Sequence, residues 1–168
     1  SLVENIPQNI LRKDMDGEFT FANKNFCRLI GHSLKDVIGK KDKDFFPDEL
    51  AEKYRRDDLK VVETGKTYDS VEEHKAADGG KLHVHVIKTP LYDIDGSPNG
   101  IQCMFWDVTQ RKKVEEQLAF ERDLLRALLE NVPDRIYFKD TESRFVRCSR
   151  ALADRLGLSM PEETIGKT

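Results

Sequence analysis

A constant offset of 126 residues superposes two stretches of this chain. It aligns Glu4 with Glu130, Asn5 with Asn131, Pro7 with Pro133, Ile10 with Ile136, Lys13 with Lys139 and Asp14 with Asp140. It continues through Phe19 with Phe145, Gly31 with Gly157 and Ser33 with Ser159. One inserted residue then brings Ile38-Gly39-Lys40 onto Ile165-Gly166-Lys167. The matches fall on turn residues and on strand-spaced apolar positions, so the copies share a fold and not merely a composition. A period this long implies tandem domains, because solenoid units are shorter. The expected division is a domain over 1–111, a linker helix over 112–131, and the start of a second domain over 132–168. The absence of an initiator Met and the stop inside a repeat suggest a piece of a longer protein.

A unit of about 110 residues can bury one core. Charged residues make up 35% of the chain, with Lys and Arg interleaved among Asp and Glu and a net charge of only -3. That balance gives no reason to expect a nucleic-acid partner, which calls for a basic face. The carboxylates are dispersed as on a solvated surface. Cys27, Cys103 and Cys148 lie far apart without metal-ligand spacing, as reduced thiols of a cytoplasmic protein do. No apolar run reaches membrane-spanning length, so no membrane contact is expected within the chain, although the parent protein could be anchored elsewhere.

The local signals predict two strands, several helices and three strands in that order. Asp14 to Gly17 is a turn, and Phe19 and Phe21 alternate with polar residues beyond it. Asn23 caps a helix ended by Gly31, with Phe26, Cys27, Leu29 and Ile30 on one face. Ser33 caps a shorter one. Asp48 caps the longest, with a stripe of Leu50, Tyr54, Leu59 and Val62. Thr67 to Lys75, Lys81 to Tyr92 and Ile101 to Val108 read as strands, the first two joined by a turn at Asp78-Gly79-Gly80. The class is α+β, with helices on one face of a five-stranded antiparallel sheet.

Four segments, in this order and duplicated, resemble the PAS domain family of sensory modules. They are the motif from Glu4 to Gly31, Ser33 to Lys40, the strand and turn from Lys81 to Gly96, and Asp107-Val108-Thr109-Gln110-Arg111-Lys112. The resemblance covers 3–112 and recurs over 129–168. It implies a PAS fold, then a linker helix and a partial second PAS unit. The implied function is a sensory module of a bacterial signal-transduction protein, a histidine kinase, in a two-component system. A diguanylate cyclase is a second possible parent. The alternative is a ligand-free dimerisation and spacer module. No catalytic motif is present, so the segment is not expected to be an enzyme.

The family's pocket lies between the helices and the inner face of the sheet. By strand phase the implied lining is Phe21, Phe26, Leu29, Tyr54, Leu59, Val84, Val86, Lys88, Ile101, Cys103 and Phe105. A filled core and a ligand cavity both remain open readings. The long helix has no histidine for haem, and Phe26-Cys27-Arg28-Leu29 lacks the setting of a flavin cysteine. Neither cofactor is expected, and an unidentified small ligand is an open alternative to a filled core. His83 and His85 share one strand face, with His74 on the neighbouring strand as a possible third metal ligand, but structural or interface roles are favoured. Asp107 or Thr109 is expected to accept from the first N–H groups of the next helix and to pass on a signal. His83, His85, Ile87, Met104 and Trp106 should face outward as an interaction surface. Val114, Leu118, Leu125 and Leu128 follow coiled-coil spacing, with Glu121 breaking the seam. Together these predict a homodimer.

Overall fold

The computed structural model describes Val3 and residues 6–75 and 79–168. Glu4 and Asn5 of the opening motif and Asp78 of the predicted turn lie outside the described residues. The chain divides into two compact units, Ser1–Gln110 and Arg111–Thr168.

In the first unit, β1 (Asn9–Lys13) and β2 (Phe19–Ala22) form a hairpin, followed by α1 (Lys24–Ile30) and α2 (Leu34–Val37). A 3-10 turn at Asp42–Asp44 leads to α3 (Asp48–Thr64). Then come β3 (Tyr68–Lys75), β4 (Lys81–Tyr92) and β5 (Pro98–Asp107). The sheet is antiparallel with strand order β2-β1-β5-β4-β3, so β1 pairs with the distant β5. The expected α+β class, with five antiparallel strands and helices, is what the chain forms. The capping residue of α3 is Pro47 instead of Asp48, which takes the first helical position and meets the helix dipole there.

Asn23 closes the hairpin onto α1. Its side chain is fully buried. Its Oδ1 accepts from Phe26 N–H at 3.0 Å and from Ile10 N–H at 3.1 Å. One polar group thus serves both the helix N-terminus and the strand. Gly31 ends the helix in the left-handed conformation.

Helix and strand phases set the core. Phe19, Phe26, Val37, Val61, Val86, Ile101 and Cys103 pack together, with Phe26 edge-on to Phe105. A bulge between Arg12 and Lys13 breaks the β1–β2 register, so Lys13 faces Phe19 while Arg12 faces Phe21. A bulge changes the phase of a strand. It turns Phe19 into the core and leaves Phe21 outside under the Arg12 guanidinium.

The second unit begins at Arg111, two residues into α4 (Thr109–Asn131). It continues with β6 (Tyr137–Lys139), β7 (Phe145–Cys148), α5 (Arg150–Arg155) and a 3-10 turn at Pro161–Thr164. It repeats several of the first unit's local contacts. Ser149 Oγ accepts from Leu152 and Ile136 N–H, as Asn23 does from Phe26 and Ile10. Asp140 Oδ1 accepts from Glu142 and Arg144 N–H, as Asp14 does from Asp16 and Glu18. Lys139 lies over the Phe145 ring as Lys13 lies over Phe19. The two-stranded β6–β7 sheet leaves Tyr137, Phe138 and Val146 exposed. Among the described residues no helix is long and apolar enough to cross a membrane.

Candidate functional site

The inner face of the sheet and the helices above it border a partly open cavity of about 100 Å3 in the first unit. Alternation along the strands brings Leu11 and Lys13 of β1, Val84, Val86 and Lys88 of β4, and Cys103 and Phe105 of β5 to its floor. Phe26, Asp42, Phe46, Tyr54, Asp58 and His74 complete the walls. Seven of the eleven expected residues are there: Phe26, Tyr54, Val84, Val86, Lys88, Cys103 and Phe105.

The other four are placed elsewhere, each for a local reason. Phe21 is turned outward by the bulge. Leu29 is 61% exposed. The buried side of α1 runs through Phe26, Cys27 and Ile30, and Leu29 is rotated well away from Cys27. Leu59 lies one position past Asp58, about 100° round the helix, and it is half-buried without lining the cavity. Ile101 is buried in the core next to the cavity.

The polar end of the cavity is a charged quartet that the dispersed-carboxylate reading missed. Lys13 Nζ donates to Asp42 Oδ2 at 2.5 Å and to Asp58 Oδ2 at 2.9 Å. Lys88 Nζ donates to Asp58 Oδ1 at 2.6 Å. All four side chains are at most 8% exposed. Burial this deep is tolerated because each charge has a partner of opposite sign. Four separate elements contribute one residue each. Burial opposes the charge of Lys13, but Asp58 and Asp42 outweigh it and hold its pKa above the usual lysine value. For Asp42 burial prevails over Lys13 and lifts the carboxyl above its usual range. Burial likewise pushes the Cys103 thiol up to about 12, which leaves it an unreactive core group.

The Lys13 shift has a sign. A lysine with a raised folded pKa stabilises fully below its unfolded value and loses that contribution as pH rises through the folded one. The urea midpoint should therefore hold to about pH 10.5, the ordinary lysine value, and fall beyond it. Lys13→Met should flatten that alkaline limb. Asp42 acts oppositely to an exposed salt-bridged aspartate, because the stability its charge costs is returned as pH falls.

The outer face carries the residues expected there. His85 pairs across from Trp106 and stacks on it at 4.4 Å between ring centroids. His85 Nε2 also lies 2.6 Å from Asp69 Oδ1. His83, Ile87 and Met104 share that face and are half-buried. His74 pairs with Leu82 and lines the inner cavity, so it is on the opposite face from His83 and His85. The three histidines therefore do not share one face of the sheet. Among the described residues no cluster of three or more His, Cys, Asp or Glu side chains could hold a metal ion.

At the end of β5 the chain turns into α4. Asp107 Oδ1 accepts from Thr109 N–H at 2.7 Å, as expected for a cap. Thr109 does something else. Its Oγ1 accepts from His83 N–H at 2.8 Å, while Val108 N–H donates to His83 O at 2.8 Å. Both backbone groups of His83 on β4 are therefore bonded to the start of α4. Beyond that start, Val114, Leu118, Leu125 and Leu128 are exposed by 39 to 66%.

The family model described as the PAS fold matches residues 3–113, and a PAS domain model matches 123–168. The chain belongs to the PAS family. Its relatives include the protein y4lL of Sinorhizobium fredii, 33% identical over 136 residues, which cover 79% of this chain and 16% of that protein. Another is the C4-dicarboxylate transport sensor protein DctS of Rhodobacter capsulatus, 27% identical over 67% of this chain and 18% of that one. This PAS chain thus spans under a fifth of either relative. Among solved structures, the Vibrio cholerae VqmA dimer is similar with a TM-score of 0.57 and 28% identity, over 66% of this chain and 50% of that one. The PAS match also places the second, partial unit in the same family as the first.

Proposed function

We propose that the first PAS unit is the sensory module of a signal-transduction protein, with a bacterial sensor histidine kinase as the parent, and that it relays occupancy of the cavity to α4. The observation that carries this reading is the pair of hydrogen bonds at His83, whose N–H donates to Thr109 Oγ1 and whose carbonyl oxygen accepts from Val108 N–H. Lys88, which faces the cavity, is on the same strand five residues on. A ligand that shifts β4 therefore pulls on the helix start. Similarity to DctS, named a sensor protein, and to VqmA, solved bound to DPO, supports a small-molecule input. Neither haem nor flavin is the proposed input, because the long helix carries no histidine and Cys27 lacks the setting of a flavin cysteine. Cys27, Cys103 and Cys148 are all buried thiols, which supports a cytoplasmic position.

A second reading, the dimerisation and spacer module, is favoured by one observation. The α4 seam of Val114, Leu118, Leu125 and Leu128 is exposed. A second copy would cover it in a parallel coiled coil. The outer face around Trp106 and the exposed β6–β7 hairpin would contribute further contact. Dimerisation also serves the sensory reading, so the discriminating quantity is a bound molecule.

Native mass spectrometry of the purified chain should show a small-molecule adduct. Hydrogen exchange, with and without that molecule, should then slow in β4 and in the first turns of α4. Thr109→Val removes the acceptor for His83 N–H at a cost of about 1 kcal/mol. It should weaken the α4 response, since the bond from Val108 N–H to His83 O remains, and leave that of β4. A full dimer without adduct or exchange response would favour the spacer.

A further inference from the structure

We propose that the cavity selects a small neutral compound built on a single ring, with a polar edge directed at the quartet, and discriminates against carboxylates and amines of the same size. This rests on the sensory reading above and names its ligand class.

Size comes first. An apolar cavity of about 150 Å3 accommodates benzene. The space here, about 100 Å3, is of the order needed for one six-membered ring with small shifts of the lining side chains. Shape comes second. Phe26, Phe46, Tyr54 and Phe105 all line the cavity, and Phe46 meets Tyr54 edge-on at 5.5 Å. Aromatic walls in this arrangement favour a flat ring, which can offer them either edge or face.

Charge decides the class. Lys13 and Lys88 carry two positive charges and Asp42 and Asp58 two negative ones, so the ionised quartet sums to zero. A carboxylate ligand would add a charge that no member of the quartet balances, and so would an ammonium. His74, the other titratable group in the lining besides Tyr54 and Cys103, is already paired with Glu72 at 3.2 Å. In a buried site an unbalanced charge is costly. A neutral group with an acceptor and a donor meets no such penalty. Lys88 gives Asp58 one of the three N–H groups of an ammonium. An acceptor on the ring edge can take another, while an N–H or O–H beside it can donate to an aspartate oxygen.

Four probes of matched size test this on the full chain: benzamide and phenol as neutral compounds, benzoate as anion, benzylammonium as cation. Binding is read by isothermal titration and by chemical-shift changes. Benzamide or phenol should bind at least tenfold more tightly than either ion. Two variants then change the sum. Asp58→Asn leaves one excess positive charge and should move the preference tenfold or more toward benzoate. Lys88→Met leaves one excess negative charge and should move it toward benzylammonium. Circular dichroism confirms that each variant is folded at the temperature used. If Asp58→Asn is not folded, Lys88→Met alone still decides the direction.

Benzoate binding the native chain as tightly as benzamide would overturn the neutral class, and so would a preference that ignores both variants. Binding of none of the probes would overturn the single-ring class. None of these failures touches the relay through Thr109, which is read from the exchange response to the molecule recovered with the protein.

Discussion

Replacing Asp58 with alanine should destabilise the first unit by about 3–5 kcal/mol, the usual cost of removing one partner from a buried ion network. Asp58 accepts from both lysines, at 2.9 Å from Lys13 and 2.6 Å from Lys88, and its side chain is only 3% exposed. Without it Lys88 loses its bonded carboxylate and Lys13 keeps only Asp42. In a domain of this size the melting temperature should fall on the order of 15 °C. Thermal unfolding followed by circular dichroism measures it. Asp58→Leu combined with Lys88→Met should cost less than Asp58→Ala alone, because the double change leaves no stranded ammonium at Lys88. A loss below about 1 kcal/mol for Asp58→Ala would mean that the quartet is wet and weakly coupled.

Gly100→Ala should be nearly as damaging for a different reason. Gly100 has φ 136, a conformation that residues with a Cβ rarely adopt. A Cβ built there would lie 2.0 Å from the backbone oxygen of Lys13 and 2.9 Å from the Asp14 Cα. Both neighbours are backbone, so neither can rotate away. β1 must shift from β5, and Lys13 moves with it. The expected cost is on the order of 2–4 kcal/mol. Urea unfolding measures it. The alkaline limb assigned to Lys13 should weaken in the same variant, which a purely local strain would not cause.

Much of this molecule could be read from its residues, and what could not has physical causes. Strand phase in β4 and β5 was legible because Val84, Val86, Cys103 and Phe105 alternate with His83, His85, Met104 and Trp106, and alternation has only two solutions. The repeat was legible because turn chemistry is local, and Asp14 and Asp140 make the same bonds from the same sequence positions. Phe21 was misplaced because a bulge leaves no mark in a short strand. The quartet was invisible because its members are 29, 45 and 30 residues apart along the chain. A charged residue reads as solvated unless its partner is known to fold onto it. One signal did exist. Asp58 lies seven positions after Ala51 and three before Val61, in the middle of the buried stripe of α3. Lys88 similarly interrupts the inward series of β4. Two opposite charges at core positions of elements that pack together predict each other.

His83 holds the helix start by two bonds of 2.8 Å, and that geometry limits how far β4 can travel. A hydrogen bond is largely lost once its heavy atoms separate beyond about 3.5 Å. The slack at this junction is therefore well under one ångström. Fluctuations of the strand smaller than that are absorbed by bond stretching and never reach the helix. A larger displacement has only two ends: the helix start follows, or both bonds break and the two elements part. Under the proposed relay, the junction would act as a threshold that passes a decisive shift and absorbs smaller ones.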